Sequence, residues 1–173
     1  MLFYLITTLF LGVSLCAAST LGTPANCDES TQRVCYANAS QGLRPEDIKY
    51  VAEYLRYLGD AGAAKFLTMP QAADCAEWTL PVPSHGGTVL ALAKHISPRI
   101  TSSVLYEDLA VAVAAPDGGS PREDLLGCGK DGGQMEVKAN LKNPLYGSDG
   151  YKKSGARPEG ILIKLVKAPP PTV

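Results

Sequence analysis

Residue types that carry common chemistries are scarce or poorly spaced in this chain of 173 residues. There are two histidines and five cysteines, without a CxxC pair, so a zinc site would need ligands from scattered positions. A Walker loop, a dinucleotide fingerprint, an EF-hand ligand series and a GxSxG elbow are all missing. The sequence therefore indicates no cofactor, no metal site and no catalytic residue.

Neither sign of charge is in excess. Sixteen Lys and Arg residues stand against 17 Asp and Glu residues, which argues against a strongly basic nucleic-acid-binding protein. A hydrophobic content of 46% argues against a disordered chain. The charges are unevenly distributed, with net −5 over residues 1–128 and net +4 over residues 129–173. A surface that attracts anions is therefore expected in the C-terminal third.

Charged side chains are also missing from the first 27 residues. Residues 2–18 form an apolar run that ends in small residues, which predicts a cleaved secretory signal over residues 1–18. A membrane anchor is the alternative, but the run is at the short limit for a span and no basic cluster follows it. We expect a secreted, extracellular protein with no membrane span after cleavage.

Four cysteines remain after the predicted cleavage: Cys27, Cys35, Cys75 and Cys128. An even number in a secreted chain predicts two disulfides, with three possible connectivities. Pairing Cys27 with Cys35, and Cys75 with Cys128, is favoured because the short loop closes at the least entropic cost. Bonds from the N-terminal segment into the core are the alternative.

The clearest predicted element is a helix over Pro45–Leu58. Proline suits its first turn, and Gly59 suits a left-handed closing position. Apolar residues at helical spacing define its core face: Ile48, Val51, Leu55 and Leu58. A second stripe, formed by Tyr50, Tyr54 and Tyr57, is expected at the core margin with wet hydroxyls.

The remaining pattern predicts further strands and one more long helix after a Gly/Ala-rich connection. Strands are predicted at Cys75–Val82, Thr88–Lys94, Gln134–Leu141 and Ile161–Val166, and a helix at Ser103–Ala114. Strict alternation directs Leu141 inward, and the last strand is apolar enough to be central. The predicted fold class is α+β, with helices on one face of a small, largely antiparallel sheet as a two-layer sandwich.

These elements divide the chain into four parts. Residues 1–18 are the signal, 19–44 a disulfide-pinned stem, 45–167 a single α+β domain, and 168–173 a proline-rich tail. The stem contains one glycosylation sequon, which predicts a glycan on Asn38.

A long connection, Lys142–Glu159, carries the candidate binding residues. Loops of this length are uncommon without a role. Lys152, Lys153 and Arg157 are predicted to present positive charge to a phosphate, an acidic glycan or an acidic protein, with Tyr146 and Tyr151 as aromatic anchors. A solvated connection whose glycines serve turns is the alternative.

Two other functions compete with binding through this connection. A secreted hydrolase would use His85 or His95, the second expected at a surface or strand end, next to a nucleophile or an acid. A glycan-binding module would use exposed tyrosines with at least two coplanar rings.

Size, secretion and cysteine number resemble the small secreted proteins of filamentous fungi, including effector candidates and killer-toxin-like α+β sandwiches. The segments Asp74–Trp78 and Leu90–His95 are similar in character to such proteins. The resemblance implies a non-enzymatic role at a host or microbial surface and transfers no functional residue. Together these features predict a monomer whose partner is an extracellular protein or an anionic glycan, with no nucleic acid involved.

Overall fold

The computed structural model describes residues 27–62, 64–83, 87–116 and 123–170, so the predicted signal lies outside the described residues. The strands are β1 (Val34–Cys35), β2 (Phe66–Met69), β3 (Glu77–Thr79), β4 (Val89–His95), β5 (Ser102–Leu105), β6 (Gly133–Glu136) and β7 (Ile161–Lys167). The α-helices are α1 (Pro45–Ala61), α2 (Tyr106–Val113) and α3 (Asp149–Ser154). Short 3₁₀ segments lie at Ala37–Ala39, Leu126–Asp131 and Pro144–Gly147.

The main sheet has five strands in the order β1-β6-β7-β4-β3, and every pairing in it is antiparallel. Strands β2 and β5 form a separate antiparallel pair. Helices α1 and α2 pack against each other, and they contact β4 and β7. The predicted α+β class with helices beside an antiparallel sheet and two disulfides is confirmed.

Strand β7 is central, as predicted, because it pairs with β4 on one side and β6 on the other. Ile161, Ile163 and Leu165 are fully buried on its core face. They lie opposite His95, Ala93 and Ala91 of β4, which are also buried. Alternation directs Lys164 of β7 and Lys94 of β4 to the opposite face of the sheet, where they are partly exposed.

Helix α1 buries the face that its spacing predicts. Ile48, Val51 and Leu55 are at most 2% exposed, and they join the apolar face of α2 and the sheet in one core. The helix begins at Pro45, but it continues to Ala61 rather than ending at Leu58. Gly59 therefore does not close it. Gly59 lies inside the helix and faces α2, where a Cβ would make an ordinary contact with Cβ of Tyr106 at 3.6 Å.

The predicted helix over Ser103–Ala114 begins as a strand. Its first residues belong to β5, which pairs with β2 through contacts such as Val104 opposite Leu67. Only Tyr106–Val113 is helical. The partner strand β2 lies in the Gly/Ala-rich connection, for which the sequence pattern predicted no element. The sequence therefore gives no sign that residues 103–105 pair as a strand.

The predicted strand Gln134–Leu141 is shorter than its alternation suggests. Strand β6 ends at Glu136, and the amide of Val137 makes the last bond toward β7, to the Ile161 carbonyl at 2.9 Å. Beyond this point β7 offers no further residue for pairing, since it begins at Ile161. The chain turns away, and Leu141 is 67% exposed instead of inward.

The disulfides join Cys27 to Cys75 and Cys35 to Cys128, so the favoured pairing was wrong. Cys35 pairs with Gly133 across β1 and β6, and Cys128 lies beside that pair. Each doubling of loop length costs only about 0.6 kcal/mol, so the sheet geometry outweighs the advantage of the short loop. Both bonds tie the N-terminal segment to the domain.

Leu55→Ala tests the core assignment. Leu55 is fully buried at the centre of α1, and its truncation leaves a cavity, so we expect unfolding in denaturant to show a loss of about 2 to 5 kcal/mol. Tyr54→Ala on the tyrosine stripe should cost less, because Tyr54 is only partly buried. Equal losses for the two variants would contradict this orientation of the helix.

Candidate functional site

The connection between β6 and β7, here called the basic segment (residues 142–159), is largely ordered into helical turns. Asn143 accepts a hydrogen bond from the amide of Leu145 at 3.0 Å, which starts the 3₁₀ turn Pro144–Gly147. Ser148 accepts from the amide of Tyr151 at 3.2 Å and caps α3. Gly155 ends the helix with a left-handed φ of 66°, a conformation that favours glycine. This cap and stop are sequence signals that the long-loop interpretation missed.

Tyr146 is not the exposed aromatic anchor that the sequence predicted. It is 8% exposed, and its hydroxyl donates to the buried carboxylate of Asp108 while accepting from the amide of Leu105 at 2.9 Å. The chain reverses into the interior here because a buried carboxylate and a backbone amide supply both partners that a phenol needs. Tyr146 therefore anchors the basic segment to this protein rather than to a ligand.

Tyr151 has a related role. Its hydroxyl donates to the carbonyl oxygen of Ser103 at 2.9 Å, and its ring lies 4.9 Å from Phe66 and 5.1 Å from Tyr146. Burial, with the negative charge of Asp108, raises the pKa of Tyr151 to about 12. Burial and the hydrogen bond to Asp108 also raise the pKa of Tyr146. Both phenols therefore stay protonated and able to donate at physiological pH.

The three predicted cations remain on the surface. Lys152 and Lys153, in the last turn of α3, are exposed, and within the described residues their side chains make no hydrogen bond or ion pair. Arg157 is also exposed and lies 3.8 Å from the carboxylate of Glu159. Lys152 and Lys153 are thus exposed on a short helix whose position is fixed by the hydrogen bonds of Tyr146 and Tyr151.

His95, the candidate base of a hydrolase, is the last residue of β4 and is fully buried. Its Nε2 lies 2.9 Å from Oγ of Ser102, which is fully buried as well. Burial lowers the pKa of His95 and favours the neutral imidazole. Neither side chain of this pair exposes surface to solvent in the part of the chain that the structure describes. The other candidate, His85, lies outside the described residues.

The tyrosine stripe of α1 is partly solvent-exposed, with Tyr57 58% exposed. The rings of Tyr50 and Tyr54 lie 6.0 Å apart with planes at 41°, and those of Tyr54 and Tyr57 lie 5.7 Å apart at 51°. The stripe therefore does not form the flat platform that stacking on a sugar ring would require.

A cleft of about 490 Å³ lies between the N-terminal segment, α2 and β6. Four carboxylates line it: Asp108, Glu123, Asp124 and Glu136. The two buried ones have structural partners, since Asp124 accepts from the amides of Ala115 and Gly127, and Asp108 accepts from Tyr146. Within the described ranges, no three His, Cys, Asp or Glu side chains are grouped to hold a metal ion.

A charged cluster on the face of the sheet opposite the helices centres on Glu29. Its carboxylate oxygens lie 2.6 Å from Nζ of Lys94, 3.0 Å from Nζ of Lys164 and 2.6 Å from Nε2 of Gln134. Lys164 also pairs with Glu77 at 2.9 Å. Each charged group has a partner inside the cluster. Because Glu29 belongs to the N-terminal segment and the two lysines belong to β4 and β7, these ion pairs attach that segment to the sheet.

Asn38, the predicted glycan acceptor, is exposed within Ala37–Ala39, directly after the edge strand β1. The position leaves room for a glycan, and the modification itself stays a prediction.

Comparisons with protein-family models, with curated proteins and with solved structures find no match to this chain. None of the helices in the described part of the chain is both long and apolar enough to cross a bilayer.

Glu29→Gln tests the charged cluster through its pH dependence. The hydrogen bond from Lys94, together with those from Gln134 and Lys164, lowers the pKa of Glu29 from 4.5 to about 2. A carboxyl whose pKa falls on folding stabilises the protein above its unfolded pKa and loses that effect as the pH falls through the folded value. The variant should therefore lose about 1 to 3 kcal/mol at pH 7, and the deficit should shrink between pH 4.5 and pH 2.

Denaturant melts across this pH range provide the measurement. Glu53→Gln is the matched control, because Glu53 is exposed on α1 and has no ion pair among the described residues. If the loss of unfolding free energy in Glu29→Gln were the same at every pH, it would not come from the charge of Glu29, and the proposed role of its ion pairs would be wrong.

Proposed function

We propose that this chain is a secreted, non-enzymatic binding protein that recognises an anionic partner through the basic segment. In this proposal it acts outside the cell on a host or microbial partner, as effector-like or toxin-like proteins do. The observation that carries the proposal is the exposure of Lys152 and Lys153, whose side chains have no partner among the described residues, on a helix that Tyr146 and Tyr151 hold in place.

Rigid presentation of these cations favours binding for a thermodynamic reason. A mobile loop loses conformational freedom when it meets a partner, and that loss subtracts from the affinity. Here the backbone under the lysines is already fixed by α3, by its serine cap and by the two tyrosine hydroxyls. The cations are therefore positioned before a partner arrives.

The proposed compartment is supported by the chemistry of the N-terminal part of the chain. Disulfides are typical of oxidising environments, and here both bonds attach the segment that follows the predicted signal. An apolar run that ends in small residues is typical of an exported chain, although the basic residues that usually precede such a run are missing here. We propose an extracellular protein or an anionic glycan as the partner.

Charge reversal of the basic segment tests the function. The variant Lys152→Glu, Lys153→Glu and Arg157→Glu should bind heparin, a sulfated glycan, at least about tenfold more weakly than the wild type. Its melting temperature should be nearly unchanged, because all three side chains are exposed. Wild-type binding should also weaken with added salt, since exposed charges are screened over about 8 Å at physiological ionic strength.

The matched control reverses Lys49, Lys130 and Lys167, which are exposed on other elements and have no side-chain partner among the described residues. It changes the net charge by the same amount and should bind nearly as the wild type does. Equal weakening in both variants would mean that net charge alone governs binding. Wild-type affinity in the first variant would refute the role of the basic segment.

A further inference from the structure

Exposed apolar side chains accompany the cations of the basic segment. Among the described residues, six large hydrophobic side chains are exposed: Val34, Tyr57, Trp78, Val111, Leu141 and Leu145. Leu141 is the most exposed of them at 67%, and Leu145 is 38% exposed. Both lie within the short stretch that leads from β6 into α3. Two leucines are therefore held in water beside the proposed binding surface.

The local fold keeps these leucines outside the core. The amide of Asn140 donates to Asp108 at 3.1 Å, and the amide of Asn143 donates to the Asn140 carbonyl at 2.8 Å, so the chain turns sharply around Leu141. Leu145 directly precedes Tyr146, whose ring occupies the interior position of the 3₁₀ turn. These hydrogen bonds fix the backbone of the turn, and in this conformation the two leucine side chains are exposed to solvent rather than packed on the core.

Positive charge surrounds the leucines along the chain. Residues 137–155 contain four lysines (Lys138, Lys142, Lys152 and Lys153) and a single acidic residue, Asp149. All four lysines are exposed, and none of their side chains pairs with a group in the described part of the chain. Lys142 follows Leu141 directly, so an apolar tip and a cation emerge from the same turn.

The exposed leucines beside the lysines are accounted for by a lipid surface, in addition to the protein or glycan that the lysines alone would bind. Protein interfaces are enriched in Trp, Tyr and Arg and depleted in Lys, and leucine is under-represented among their hot spots. A polyanionic glycan attracts the lysines but gains little from leucine. An anionic bilayer satisfies both groups, because its headgroups attract lysines and its acyl boundary takes up apolar side chains.

We infer that the turn around Leu141 and Leu145, with the lysines of the basic segment, docks on the surface of an anionic lipid bilayer. The protein lies on the membrane, with the leucines entering the headgroup boundary and the lysines contacting lipid phosphates or carboxylates. This inference rests on the proposed function, because it uses the same cations, and it adds a lipid surface as a further partner of the basic segment.

Vesicle binding tests the inference. Wild-type protein should co-sediment with vesicles of phosphatidylcholine containing phosphatidylserine and much less with vesicles of phosphatidylcholine alone. Leu141→Ser with Leu145→Ser should reduce affinity for the anionic vesicles about tenfold, since part of the apolar burial is lost. The same variant should be retained on heparin as the wild type is. Val111→Ser, an exposed apolar position on α2, is the matched control and should bind vesicles normally.

The outcomes separate the two proposals. Unchanged vesicle binding by the double leucine variant, or wild-type retention on heparin without vesicle binding, would overturn the membrane inference and leave the basic segment as a site for a glycan or acidic protein. Wild-type protein that binds neither heparin nor anionic vesicles would overturn both.

Discussion

The hydroxyl group of Tyr146 is the contact on which the proposed surface depends. It joins three parts of the fold, because it donates to Asp108 on α2, accepts from the amide at the end of β5 and belongs to the basic segment. Asp108 also accepts from the amide of Asn140, so one buried carboxylate orients both the turn and the aromatic anchor. A buried carboxylate requires such partners, and the chain between β6 and β7 supplies them.

The inward-facing and the outward-facing residues of the basic segment therefore have different roles. Its tyrosines face inward and fix the backbone, while its lysines and the nearby leucines face outward and are available for contact. Because the aromatic rings pack with Phe66 of β2, the surface is also attached to the second sheet. The Glu29 cluster lies on the opposite face of the main sheet, whereas the Cys35–Cys128 disulfide packs against the core. Among the described residues, no hydrogen bond or ion pair joins residues 27–44 to the basic segment.

Sequence patterns predicted the elements whose periodicity reflects burial against a continuous core. Helix α1 and the central strand β7 belong to this class. The patterns failed where a partner distant in sequence decides the outcome. Strand β5 exists because β2 pairs with it, Leu141 is exposed because β7 offers no further partner, and Cys35 bonds Cys128 because β1 and β6 bring them together. The same cause reversed the role of Tyr146, since no local signal reveals the buried Asp108 on α2. The predicted cations are exposed, but Lys152 and Lys153 lie on α3 rather than in a loop, and their role in binding stays a prediction.

Amide hydrogen exchange in Tyr146→Phe tests the central claim most directly. The ring is kept, and only the hydrogen bonds to Asp108 and the Leu105 amide are lost. If this hydroxyl holds the surface in place, exchange should accelerate across residues 142–157 while the core amides of α1 keep wild-type rates. Unchanged exchange throughout the basic segment would contradict the account and show that its order has another source.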